Sequence, residues 1–217
     1  MTLPTPFRYP KWKHVRRLQP GPYKNYRSYK THLREEFHQK YIYCRLPDGL
    51  GATFGVEHYR PKNRFPKFEA TYSNLFYACN RCNCLKRDYW PSPEDLKKGL
   101  FVPNPCDHTM ATHLWYKDVV VEVKDAAGEF TESLLSLNDD ELVLYRDFIV
   151  RGIHRAVGEG RKIRATLSEI AKERQLTNDG DRRQDLGAAR VDLEGELALI
   201  IDDLRRLTGD KDVSLPK

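Results

Sequence analysis

The sequence predicts an α+β protein: a small core of strands and one helix, with a basic arm and a leading helix before it and a mostly helical part after it. Three observations carry this reading. Prolines at 4, 6, 10, 20 and 22 forbid a long helix at the start. Strand-like runs and turn residues crowd the middle and lead into ACNRCNCLKRD, residues 78–88. Beyond residue 138, apolar side chains recur at helical spacing through three successive segments.

The elements follow in order. Residues 1–40 hold the arm and the leading helix. The text FRYPKWKHVRRLQPGPYK reads as an extended basic arm, lying over the domain or along a phosphate backbone, with a disordered tail as the alternative. Tyr29, Leu33 and Phe37 share one face of a helix over about 25–40, with Ser28 able to cap it. Residues 41–116 form the core. YIYC and ATFGVEH flank the turn signal LPDGLG and are expected to pair as a hairpin or looped pair, and a short helix is expected from the second cysteine pair. Residues 117–217 are scaffold or a partner-binding region. VVVEV alternates like a strand, and DAAGE is expected to turn it back. Asn138 followed by Glu141 has the spacing of a capping box at the head of a helix carrying Leu142, Tyr145, Ile149, Ile153 and Ala156. Further helices are expected over about 161–176 and 182–208, their stripes of Leu and Ile forming core.

Composition narrows the class. Of the 217 residues, 40% are apolar and 11% aromatic, enough to bury a core. No apolar run approaches the roughly 20 residues of a membrane span, and the first residues lack the apolar middle of a secretory signal. A soluble, cytoplasmic protein is expected. The net charge of +6 is unevenly spread. Residues 1–100 carry 20 Lys and Arg against 8 Asp and Glu; the rest carry 17 against 23. A basic front half interleaved with aromatics suits a polyanion such as a nucleic acid, DNA or RNA, although solvated surface is the simpler account.

Two groups of residues carry chemistry. The first is Glu57–His58, followed by Asn83. An imidazole accepts a proton near neutrality, so His58 suits a general base. Glu57 and an amide oxygen from Asn83 form a hard, incomplete ligand set of the kind Mg²⁺ or Mn²⁺ takes. On a regular strand Glu57 and His58 point opposite ways, so the strand must end or bend at the pair, and Pro61 makes an ending reasonable. The second group is Cys44, Cys79 and Cys82, whose spacing suits a structural Zn²⁺. Tyr41 stands where a second CxxC would have its first cysteine. The fourth ligand is open among Cys106, His108, Cys84 and His38, with Cys106 preferred, and an empty site is the alternative. Arg60, Lys62, Arg64, Arg81, Lys86 and Arg87 surround the motif as a rim for nucleic-acid phosphates.

EHYRPK…YSNLFYACNRCNCLK, within about residues 41–90, resembles the HNH endonuclease family. That resemblance implies a ββα-metal core with His58 as the base that activates water, Glu57 and Asn83 on a divalent cation, and Asn74 bracing the loop and orienting His58. Asn83 stands where the final histidine of the family's motif usually sits. A weaker resemblance, through EHYRPK, FVPNPCDH and LLSLNDDELVLYRDFI, is to HNH nucleases of bacterial anti-phage defence systems such as Septu and some retrons, and implies a partner ATPase. The alternative function is a non-catalytic, zinc-stabilised nucleic-acid-binding module.

Overall fold

The computed structural model describes residues 4–50 and 53–216. The first residues of the arm, Gly51 and Ala52 in the expected turn and strand, and the last residue lie outside them. The chain forms two compact units, Pro6–Phe148 and a second from Ile149 onward that also takes in Pro4 and Thr5. No helix is long and apolar enough to cross a membrane.

In the first unit the arm has no helix or strand before residue 26, and it packs on the core. Phe7 and Tyr9 are buried, and their rings contact Tyr116. The Glu36 carboxylate accepts hydrogen bonds from the Arg17 and Leu18 amides, both at 2.9 Å. The leading helix is shorter than expected. A 3₁₀ turn, Tyr26–Tyr29, is capped by Asn25 rather than Ser28 and runs into α1, Lys30–Glu36. Leu33 and Phe37 reach the core, as the four-residue spacing anticipated.

The central sheet differs from the expected hairpin. Strand β1, Phe54–His58, pairs antiparallel with β2, Leu75–Cys79, and α2, Asn80–Lys86, follows directly. YIYC is not a strand: residues 41–46 fold into a tight turn in which the Arg45 amide donates to Tyr41 O and Tyr41 N to Leu46 O. Arg45 has φ 56°, which ends any extended run there. The run LFYAC takes the pairing instead, and all five of its residues are buried, as in a strand packed on both faces. Residues 59–74 connect the two strands through a long loop with 3₁₀ turns at Pro66–Phe68 and Tyr72–Asn74.

After α3, Pro93–Lys97, which starts on a Ser92/Asp95 capping box, a second antiparallel pair forms from β3, Leu114–Lys117, and β4, Val120–Val123. Asp118, with φ 54°, makes the turn. DAAGE does not turn a strand back. Asp125 caps α4, Ala126–Leu135, accepting from Gly128 N at 2.8 Å. Gly128 is required there, since a Cβ would collide with the His113 carbonyl. Asn138 is not a cap: its amide brackets Val121, accepting from N and donating to O at 2.8 Å each. Asp139 accepts from the Glu141 amide in the first turn of α5.

Helix α5, Asp140–Leu176, is continuous for 37 residues, so the break expected near 160 is absent. In the second unit, it is followed by α6, Gly180–Thr208, capped by Asp179. Ile149, Ile153, Val157, Ile170, Leu186 and Leu204 are buried, Gly152 packs against Leu207, and Gly160 lies under Leu215. Of the α6 stripe only Leu186 and Leu204 are fully buried; Ala189 is exposed.

Candidate active site and thiol centre

β1 ends at His58, paired with Leu75, and successive side chains leave it on opposite faces. The imidazole and the carboxylate therefore have separate neighbours. His58 is half-buried, with its Nε2 2.9 Å from the Glu69 carbonyl oxygen and the Tyr26 ring edge-on at 4.6 Å. A carbonyl only accepts, so the proton sits on Nε2 and the neutral ring carries its lone pair on Nδ1. Burial lowers the His58 pKa, and the nearby Lys62 ammonium adds to the effect; the bond to Glu69 O opposes them.

Glu57 is 1% exposed. The Tyr41 hydroxyl donates to its Oε2 at 2.6 Å, and Lys86 Nζ lies 3.2 Å from Oε1. That approach is within ion-pairing distance but outside hydrogen-bond angles, so Oε1 has no hydrogen-bond donor although it is buried. The Lys86 ammonium instead donates to the carbonyls of His58, at 3.0 Å, and Tyr59, at 3.2 Å. Lys86 is 2% exposed, so its place on the nucleic-acid rim is corrected: it ties α2 to the end of β1 from inside. Asn83 is half-buried one turn earlier on α2, on the face that carries Lys86.

Asn74 is buried where the loop rejoins β2. Its Oδ1 accepts from Arg60 N at 2.8 Å, and its Nδ2 donates to the carbonyls of Arg60 and Phe68. The side chain thus clips the start of the 59–74 loop to its end, next to His58.

The thiol centre forms where the 41–46 turn meets the junction of β2 and α2. Cys44, Cys79 and Cys82 are buried, and their sulfurs lie within 4.8 Å of one another, with Cys44 and Cys79 3.6 Å apart. Hydrogen bonds from Cys44 and Cys82 pull Cys79 down to about 4, while burial pushes Cys44 up and hydrogen bonding to its sulfur neighbours pushes Cys82 up. Three buried sulfurs in one group, Cys79 the most readily ionised of them, are a donor set that fits a thiophilic ion such as Zn²⁺. Cys106 is corrected: among the described residues it is not with these sulfurs, and it lines another cavity with Arg16, Tyr59 and Asn74. His108, Cys84 and His38 are likewise absent from the group; Cys84 is exposed on α2.

The remaining rim residues divide. Arg60 is exposed with its guanidinium over Phe68 and Trp90, Arg64 donates to Trp90 O at 3.1 Å, and Arg87 is exposed at the end of α2. Lys62 pairs with Glu69 at 3.6 Å. Arg81 pairs with Asp139 at 3.4 Å and donates to Leu135 O and Ser136 O, anchoring α2 to the helical layer of this unit. Sequence reasoning missed Tyr26, Tyr41 as the Glu57 partner, and the inward role of Lys86. For Lys86 a signal existed: it follows Asn83 by three, which puts both on one helical face.

Comparison with known proteins gives one relative. Over 122 residues the chain is 29% identical to the Septu protein PtuB of Bacillus thuringiensis, a stretch covering 56% of this chain and 45% of that protein. The match spans less than half of the relative. No family profile matches the chain. No solved structure matches it either.

Proposed function

We propose that the chain is an HNH-type, metal-dependent endonuclease that hydrolyses DNA phosphodiester bonds, acting in anti-phage defence beside a partner ATPase. The observation that carries the proposal is the His58 imidazole. It stands at the end of a strand in a strand–strand–helix unit, kept neutral by burial, with its tautomer set by Glu69 O. The likeness to PtuB, a Septu protein, supports the defence setting and the partner.

Glu57 Oε1, buried without a hydrogen-bond donor, and the Asn83 amide oxygen fit a hard divalent cation such as Mg²⁺ or Mn²⁺, with Lys86 as the ammonium that must yield room beside Oε1. Such a cation, when bound, supplies Lewis-acid stabilisation of charge on the phosphate and the departing oxygen. His58 takes the proton from the attacking water at Nδ1, and Nε2–H keeps the ring oriented through Glu69. Asn74 holds the loop that carries Arg60 and presents Glu69, and Lys86 fixes the carbonyls of His58 and Tyr59. Arg60, Arg64 and Arg87 hold neighbouring phosphates.

The test is cleavage of plasmid DNA with Mg²⁺ or Mn²⁺, with and without the partner ATPase. Wild type is expected to cut and His58→Ala to lose on the order of 10²–10⁴-fold. Equal cutting by both sinks the reading. The enclosure of Glu57 by Tyr41 and Lys86 favours a second reading, a zinc-stabilised module that binds nucleic acid without turnover. It predicts salt-sensitive binding that His58→Ala and Asn83→Ala leave unchanged.

A further inference from the structure

A divalent ion such as Zn²⁺ held by thiolates is tetrahedral, and three sulfurs leave one position to fill. Among the described residues, no further His, Cys, Asp or Glu joins the three sulfurs. Tyr41, in the position of the missing cysteine, spends its hydroxyl on Glu57 Oε2 at 2.6 Å. Cys106 lines a cavity of its own, and Cys84 is exposed and outside the sulfur group.

Cys79, by contrast, forms part of the wall of a cavity of about 430 Å³, together with Leu46, Thr53, Asn80, Arg81 and Leu142. That volume is in the range that holds small-molecule ligands. Its wall is part apolar, through Leu46 and Leu142, and part polar, through Asn80 and Arg81. A closed four-sulfur site only staples the fold; a three-sulfur site beside a cavity exchanges its last ligand.

We infer that the ion held by Cys44, Cys79 and Cys82 has an exchangeable fourth position, taken by a small sulfur or nitrogen donor, a thiol or an imidazole, that enters through this cavity. The inference does not depend on the nuclease reading, because the ion and its ligand are read by spectroscopy without any turnover.

The test uses the full-length protein with one Co²⁺ per chain. Its visible absorption is expected to shift saturably with 2-mercaptoethanol or imidazole, and the two probes separate sulfur from nitrogen preference. Tyr41→Cys supplies a fourth thiolate, so the sulfur-to-cobalt band is expected to grow by about one third, four thiolates against three, and the response to either probe to vanish. Cys84→Ser and Cys106→Ser are expected to respond as wild type does. Tyr41→Cys also removes a donor from buried Glu57; if it fails to fold, Leu142→Trp replaces it, filling the cavity and weakening the probe response about tenfold with Co²⁺ still bound. The inference is overturned if bound Co²⁺ in wild type responds to neither probe, if a response appears only once Cys84 or Cys106 is removed, or if the chain binds no Co²⁺.

Discussion

Glu57 and Lys86 hold opposite charges 3.2 Å apart, with side chains 1% and 2% exposed. Such a pair adds little net stability over apolar residues of the same shape, but removing one partner strands the other charge in the interior. Lys86→Met is therefore expected to cost about 3–5 kcal/mol. Adding Glu57→Gln in the same chain should return most of that loss in urea unfolding. A cost below about 1 kcal/mol for Lys86→Met alone would mean the ammonium is not the buried partner. At His58, burial places the folded pKa below the ordinary value of about 6.5. The ring therefore stays neutral, and able to accept a proton, to lower pH than a free imidazole. The pH–rate profile for cleavage should rise with unit slope and level off below about pH 6.5. Stability has the same sign: as pH falls from about 6.5 towards the lowered value, the unfolded chain takes up the proton first and folding weakens. His58→Gln should remove that part of the acid loss. An acidic limb midpoint above about 6.5 contradicts both statements.

Among the elements, α5 gives the sharpest contrast between reading and result. GEGR, residues 158–161, contains two glycines, and a boundary between two helices is expected there. In the structure the helix continues without a break from Asp140 to Leu176. Gly160 is used for close packing, since a Cβ would run into the Leu215 side chain. Arg161→Pro separates the alternatives. As the first residue of a new helix proline is tolerated, whereas inside a continuous helix it costs about 3 kcal/mol or more. A loss of that size, with reduced helical circular dichroism, is expected; an unchanged unfolding midpoint would restore the boundary. The periodic stripes of α1 and of the first half of α5 were legible because amphipathic spacing is local. The pairing of the central strands was not. YIYC and LFYAC are both short apolar runs next to a cysteine, and pattern alone does not say which one faces β1. Both runs are buried; the backbone separates them, since 41–46 closes into a turn at Arg45 while LFYAC stays extended and pairs with β1. Asp125 and Asn138 misled for a related reason: each has a side chain suited both to capping and to turns, and Asp125 caps the next helix through Gly128 while Asn138 finds Val121 in a distant segment.

For the whole molecule, the uneven charge and the compact core around the cysteines were readable, while the division at Phe148 was not, because it falls inside one uninterrupted helix. The basic first half does not form a single positive rim. Arg60, Arg64 and Arg87 are exposed, Arg81 is drawn to Asp139, and Lys86 is internal. The arm is likewise not a free tail: Phe7 and Tyr9 are core residues, and Glu36 secures the backbone at 17 and 18. By itself the sequence determined which residue types are present and which lie near one another along the chain: an acid beside an imidazole, an Asn and a Lys on one helical turn, and a CxxC. Local spacing sets these, through the fixed periods of helix and strand. Tertiary structure alone decided what each one meets. Tyr41 reaches Glu57 and Cys44 joins Cys79 across many residues of chain, and Cys106 lies elsewhere, because long-range packing settles which buried polar and sulfur atoms find partners.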